Sequence, residues 1–301
     1  MDRLEAMTIL LSAVDTGSLS SASRQLHVPL ATVSRRVAEL EEHLKVRLLH
    51  RGNRKLVLTD AGRSYVASCR RIIEDIAEVE RTASGEYRAP QGELTISLSS
   101  VLGRTHILPV VVEFQRAFSD VRIRMQLTDR MVNLAEEHVD VAVRLGELPD
   151  SSMIAARIGL IRHVVCTSPA YLKKRGAPKK PIDLAAHDCV VHEGHSASYD
   201  WEFATDKTKQ TIHVTSRLIV SLAEAAVAAA VAGAGIARVL SYLVEAPMKS
   251  GSLVTLLEAY EPPPIPVSVI YPSQRQVPLK LRAFLDFAIP RLRKRLGFEN
   301  T

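Results

Sequence analysis

Residues 18–45 read SLSSASRQLHVPLATVSRRVAELEEHLK, and the fold turns on how they are parsed. Ser18 is a favoured residue type at a helix N-cap, and the helix it opens runs to about Leu26. His27-Val28 make a short turn, and Pro29 suits the first position of the next helix. Along that helix Val33, Val37, Leu40 and Leu44 recur at spacings of four, three and four, an apolar stripe on one face. Two helices joined this tightly can set the second into the major groove of DNA. With Val33, Val37 and Leu40 turned inward, Ala31, Thr32, Arg35 and Ala38 turn outward, flanked by Ser34 and Arg36, with Leu30 on the first turn. Arginine reaches guanine O6/N7 or a phosphate, and serine and threonine do either job.

The flanks extend the same pattern. Leu4, Met7, Leu10, Leu11 and Val14 fall at helical spacing, and Gly17 ends that first helix. After the third helix, Val46–Leu49 and Lys55–Leu58 read as the arms of a small hairpin, with Arg51, Arg54 and Lys55 making its tip basic. Such a tip suits a phosphate or minor-groove contact. Residues 21–63 carry nine basic and four acidic side chains, a stretch about five charges positive that fits the footprint of a nucleic-acid-binding face. Thr59 is an N-cap for a long helix from Asp60 to about Ser84, closed by Gly85. On it Tyr65, Cys69, Ile72, Ile76 and Val79 alternate spacings of four and three, a seam suited to pairing with another helix.

Glu86–Gly92 reads as a linker, and beyond it strands alternate with helices. The pattern predicts strands at 93–99, 121–127 and 139–145 with helices at 104–118 and 131–137 between them, then a late strand at 267–271 and a final helix at 279–296. Alternation of this kind implies an α/β domain with a mostly parallel sheet. Open α/β sheets bind ligands in the crevice at the carboxyl ends of their strands. The strand ends here offer Ser99 and Ser100, Thr128, and Arg144 to Gly146, and His192 is counted with them as an effector-facing residue. Serine hydroxyls and backbone N–H groups at a helix start suit a carboxylate or another anion.

Composition bounds the function. The chain has 301 residues, room for two or three domains, and a net charge of +6 that mildly favours a polyanionic partner. Its start carries Asp2, Glu5 and Asp15 around a short apolar run, unlike a secretory signal. No run approaches the roughly 20 apolar residues of a membrane span. Cys69, Cys166 and Cys189 are scattered and odd in number, as expected of a reducing compartment. The expectation is a cytoplasmic protein with no membrane partner.

The residues then reach a known family. AMTILLSAVDTGSLSSASRQLHV, VSRRVAELEEHLKVRLLHR and LVLTDAG resemble the N-terminal domain of LysR-type transcriptional regulators. GELTISLSSVLGRTHILPVVVEF, DRMVNLAEEHVDVAVRLGELPDSS, SPAYL, DLAAHDC, VAGAGIA and Leu281–Phe287 are similar to that family's effector domain, so the resemblance covers nearly the whole chain. It implies a winged helix-turn-helix over 1–59, a linker helix and hinge over 60–91, and a two-lobed α/β effector domain of periplasmic-binding-protein-like type over 92–301. Lobe I takes 92–164 and 267–301, and lobe II takes 165–266. The implied DNA contacts are Ser34, Arg35 and Arg36 on the recognition helix and Arg51 and Arg54 on the wing, to which the outward face of that helix adds Thr32. The implied partners are promoter DNA, a small-molecule effector between the lobes, RNA polymerase, and further copies of the chain in a homodimer or homotetramer. No cofactor, metal or catalytic residue is implied.

Several positions depart from the family pattern. Pro29-Leu30-Ala31 stands where Ser-Gln-Pro is common, which removes a base-reading amide and moves direct readout to Thr32, Arg35 and Arg36. Gly52-Asn53 replaces a frequent pair of threonines on the wing. Leu98–Leu102 is less polar than usual, and Leu222 stands where Asp is common, both pointing to a less polar pocket.

His187–His195 is the densest set of metal-ligand types, but on a strand Cys189 and Glu193 face away from Asp188 and His192, and no second ligand set follows. Gly233-Ala234-Gly235 follows a helix and precedes a strand, the reverse of a dinucleotide fingerprint, so Gly233 reads as a helix C-cap. Neither Cys166 nor Cys189 sits among basic residues that would activate a thiol. A solute-binding protein is the competing class, and an enzyme the third. The basic N-terminal helices count against the first, the lack of a catalytic constellation against the second.

Overall fold

A computed structural model describes residues 2–50, 56–83, 89–130, 132–134, 136–148, 153–193, 199–205, 208–273 and 277–298. They form two units, residues 1–89 and residues 90–301.

The first unit holds four helices: α1 (Arg3–Thr16), α2 (Leu19–Leu26), α3 (Leu30–Leu44) and α4 (Asp60–Ala83). Its punctuation is local chemistry. Asp2 caps α1 through Leu4 N and Glu5 N, and Gly17 closes it in the left-handed conformation. Ser18 Oγ accepts from Ser21 N at 3.1 Å to open α2. Pro29 lies one position before α3 rather than inside it; its carbonyl accepts from Thr32 N and Val33 N. Ala6, Ile9, Leu10, Val33, Val37 and Leu40 form the core, joined by Leu48 and Val66.

Among the described residues the hairpin arms meet at a bridge between Leu49 and Leu58, reinforced by His50 N to Val57 O at 2.9 Å. Thr59 Oγ1 accepts from Gly62 N at 2.9 Å and donates to Arg47 O at 2.7 Å, capping α4 and tying it to the first arm. Arg70 of α4 is paired with Asp15 of α1. The seam on α4 is divided. Cys69 is buried, whereas Ile72 is 42% and Val79 68% exposed.

The second unit is built on two five-stranded sheets. The first contains β1 (Gly92–Leu98), β2 (Val121–Leu127), β3 (Val141–Leu145), β4 (Met153–Ile161) and a late strand (Ile265–Pro272), in the order β2-β1-β3-late-β4. The second contains β5 (His163–Thr167), β6 (Cys189–His192), a strand at Ser216–Val220, a strand at Ile236–Leu240 and a strand at Val254–Leu256. A hairpin, β7 (Asp200–Thr205) and β8 (Thr208–His213), lies between them in sequence, so the remaining strands are β9 to β12. The second sheet runs β11-β5-β10-β6-β9.

Neither sheet is mostly parallel, which corrects the expectation from alternation. In each, two neighbouring pairs are parallel and two antiparallel. The reason is the route of the chain. It crosses from one sheet to the other between β4 and β5 and returns to place β12 antiparallel between β3 and β4. Helices α7 (Pro169–Arg175), α8 (Ala223–Val231) and α9 (Glu245–Lys249) lie between β5 and β11 in sequence, and α10 (Leu279–Arg295) covers the first sheet, with Leu281, Phe284 and Leu292 packed in the same cluster as Ile96, Phe114 and Val269.

Two expected helices also change. The predicted helix at 104–118 begins at Ser100: α5 (Ser100–Leu102), a π-helical turn (Gly103–Ile107) and α6 (Leu108–Ala117) follow one another. The predicted helix at 131–137 is a compact turn among the described residues. Val132 and Leu134 both enter one small cluster with Ala142 and Ile270, and residues two apart cannot share a helical face. Among the described residues one α-type turn forms, Glu137 N to Asn133 O at 2.9 Å, before His138 adopts positive φ.

Candidate nucleic-acid interface and effector cleft

The face of α3 opposite its core stripe is open. Leu30, Ala31, Ser34, Arg35 and Ala38 are exposed and Thr32 half-buried, as the helical wheel requires once Val33, Val37 and Leu40 pack inward. The two arginines differ. Arg35 is 65% exposed, with Glu39 3.8 Å away. Arg36 is 24% exposed and held by two carboxylates, Glu5 at 2.9 Å and Glu39 at 3.2 Å. It ties α3 to α1, a partner that sequence spacing did not reveal. A third carboxylate shapes the region: Glu41 Oε1 accepts from Leu48 N at 2.7 Å and Leu49 N at 2.9 Å, fixing the first hairpin arm to α3. Arg51 and Arg54 lie outside the described residues.

In the second unit β1, β2 and β3 run parallel, so their carboxyl ends leave the sheet on one edge. That edge gathers Ser99, Ser100, Thr128, Arg144 and Gly146. Ser100 N donates to Asp129 Oδ1 at 3.0 Å, so a carboxylate of the chain already sits at the start of α5. Asp129 carries no local signal for this role in the sequence; it is 29 residues away, and the pairing of β1 with β2 brings it there. Ser99 Oγ is buried without a hydrogen bond of normal geometry. The Tyr242 phenol is near enough for that hydroxyl to offset part of the upward pKa shift that burial imposes on it. Arg144 donates to Val132 O at 3.3 Å, and its burial lowers its pKa. Gly146 takes positive φ and donates to Pro266 O at 2.9 Å, joining β3 to the returning strand.

His192 ends β6 in the second sheet and is half-buried. Leu222 is exposed at the N-cap of α8 (Ala223–Val231) and supplies no side-chain hydrogen bond there. Across the two sheet lobes, Arg104 of the π turn meets Glu224 of α8 at 2.5 Å.

The His-Cys cluster is structural where it is described. Tyr171 Oη accepts from Asp188 N at 3.0 Å and lies 3.3 Å from His187 Nδ1. Asp188 O accepts from Ile236 N, and a Cβ on Gly235 would come within 2.3 Å of that oxygen. Cys189 and Val191 enter one core cluster, and His195 lies outside the described residues. Burial pushes the Cys166 and Cys189 thiols up to about 12, so neither offers a thiolate at neutral pH. Gly233 takes positive φ after α8, the C-cap geometry expected.

Comparison with known proteins supports both halves. Residues 4–63 match the model of the bacterial regulatory helix-turn-helix protein, lysR family, and residues 88–293 match that of the LysR substrate binding domain. The HTH-type transcriptional regulator CrgA of Neisseria meningitidis serogroup C is 32% identical over 96% of this chain and 96% of its own. The HTH-type transcriptional activator AaeR of Escherichia coli K12 is 30% identical over 95% and 93%. Among solved structures, full-length AphB, the Vibrio cholerae virulence activator, has 27% identity and a TM-score of 0.62 over 95% of this chain and 98% of that one.

Proposed function

The chain belongs to the LysR-type family of bacterial transcriptional regulators, and on that premise we propose how its residues divide the work. It is a DNA-binding transcriptional regulator with an effector-binding domain. In our reading residues 1–59 bind promoter DNA in the cytoplasm, with Thr32, Ser34 and Arg35 at base edges or phosphates and Arg51 and Arg54 on the backbone. Arg36 acts by holding α3 against α1. Residues 60–91 pair copies of the chain through the exposed end of the α4 seam. Residues 92–301 sense the effector, with lobe I taking 92–164 and 267–301 and lobe II taking 165–266. The effector lies near Ser99, Ser100, Thr128, Arg144, Gly146 and His192. It shifts the balance between lobe arrangements and so the spacing of the DNA-reading heads. The action is binding, with no catalytic step.

The observation that carries this reading is the open face of α3, with Arg35 exposed on it, above a fully packed stripe. A reporter fused to the DNA upstream of the chain's own gene tests it, with the effector supplied by growth condition. Ser100→Ala is expected to blunt the response without abolishing DNA binding. A ligand-dependent response left intact removes the support for the strand-end cleft.

A further inference from the structure

A cavity of about 400 Å³ opens where the two sheet lobes and the last helix converge, and its lining shares no residue with the strand-end group. Its apolar walls are Val101, Val227, Leu243, Ala246 and the ring of Tyr242. Its charges are Arg104, Glu224, Glu245, Lys249 and Arg295, and His106 also lines it.

His106 marks it as more than a surface dent. The side chain is nine-tenths buried, edge-on to Tyr242, yet Nε2 makes no hydrogen bond. Glu245 Oε1 stands 3.6 Å away, outside hydrogen-bond reach. A buried polar atom without a partner is a standing loss that a bound group can recover. His106 also sits in the π turn, a distortion frequent at functional sites. The charges decide what fits. Arg104 and Glu224 satisfy each other across the lobes, which leaves Lys249 and Arg295 against Glu245, an excess of one positive charge. The volume suits a small molecule with an apolar body.

We propose that this cavity is a second ligand site, for a small organic monocarboxylate. The carboxylate lies toward His106, Lys249 and Arg295, and the apolar body lies on Val101, Val227 and Leu243. His106 is neutral at pH 7, because burial outweighs the pull of Glu245 and lowers its pKa, with Arg295 and Lys249 acting the same way. It therefore offers an N–H to the carboxylate at no cost of charge burial. Because the walls come from both lobes, an occupant bears on the Arg104–Glu224 contact and so on lobe geometry.

Isothermal titration calorimetry on the full chain with cyclohexanecarboxylate tests the site, using cyclohexanecarboxamide as the uncharged isostere. Saturable binding of the carboxylate is expected, with the amide weaker by about tenfold or more, as charge-assisted hydrogen bonds require. The double variant Lys249→Gln/Arg295→Gln alters exposed side chains and is expected to lose about tenfold or more in affinity. Ser100→Ala, in the other group, is expected to leave binding within about twofold, which separates this site from the strand-end cleft. The proposal is overturned by amide binding equal to carboxylate, by an unaffected double variant, by loss of binding in Ser100→Ala, or by no saturable heat.

Discussion

Arg36 Nη2 lies 2.9 Å from Glu5 Oε2, so α3, the helix we propose reads DNA, is tied to α1 by one of its own arginines. Its neighbour Arg35 points outward and is 65% exposed. Adjacent, chemically identical residues therefore have separable tasks. Arg35→Ala is expected to leave unfolding unchanged within about 0.5 kcal/mol and to cost about 1–3 kcal/mol of DNA affinity, read by fluorescence anisotropy. Glu5→Gln is expected to destabilise the first unit by about 1–2 kcal/mol, between the values of exposed and buried ion pairs. Equal effects of the two variants on stability would contradict the division.

Gly62 explains the glycine of LTDAG. A Cβ there would lie 2.1 Å from the Leu48 carbonyl oxygen, a backbone atom that also accepts from Thr59 N at 3.0 Å. Gly62→Ala must push α4 away from the hairpin arm. The expected loss is about 2 kcal/mol or more in denaturant unfolding followed by a probe in the first unit, with weakened DNA binding. A neutral substitution would mean the two segments do not meet as described.

These cases show what the sequence discloses. Gly17, Ser18 and Thr59 were legible because a cap is decided by residues within one turn of it. The ion pair of Arg36 with Glu5 was not, since it spans 31 positions and depends on how α1 and α3 pack. The same holds for the second unit. β2 was legible at both ends from its own alternation. The early start of α5 was not, because Asp129 stabilises it from a different strand end. The placement of β12 in the first sheet was open for the same reason: periodicity specifies a strand and not its neighbours. Of the site residues, the outward face of α3 followed from spacing. The cavity at His106 left no local signal.

The seam on α4 yields a test of assembly. Ile72 and Val79 are exposed on one chain, and apolar side chains at this spacing suit burial against another helix. Ile72→Glu with Val79→Glu is expected to lower the mass measured by light scattering toward that of one chain. The folded signal of the second unit should be retained. An unchanged mass would place the interface elsewhere.

His163 on β5 makes stability depend on pH. Burial is the main cause holding its pKa down, with Arg238 adding to it, from an ordinary 6.5 to about 4. Below about pH 6.5 the unfolded chain takes up a proton that the folded chain refuses until about pH 4. Its contribution is therefore complete above pH 6.5 and is lost as pH falls to 4, by up to about 3 kcal/mol. The lowered pKa values of His106 and His187 act in the same direction. Urea unfolding at pH 7 and pH 4.5 is expected to show a smaller difference for His163→Gln than for the unaltered chain. Equal differences would contradict the burial of the imidazole.

Whether α3 reads DNA is decided by an anisotropy titration against the DNA upstream of the chain's own gene. Repeated over a salt series, with random DNA and Arg35→Ala as comparisons, it is expected to show specific binding with a steep fall of affinity with salt. Arg35→Ala should weaken that binding, and a backbone contact would show as a salt slope shallower by about one. No preference over random DNA at about 0.1 M salt, together with an Arg35→Ala curve that overlays the unaltered chain, would show that α3 does not read DNA.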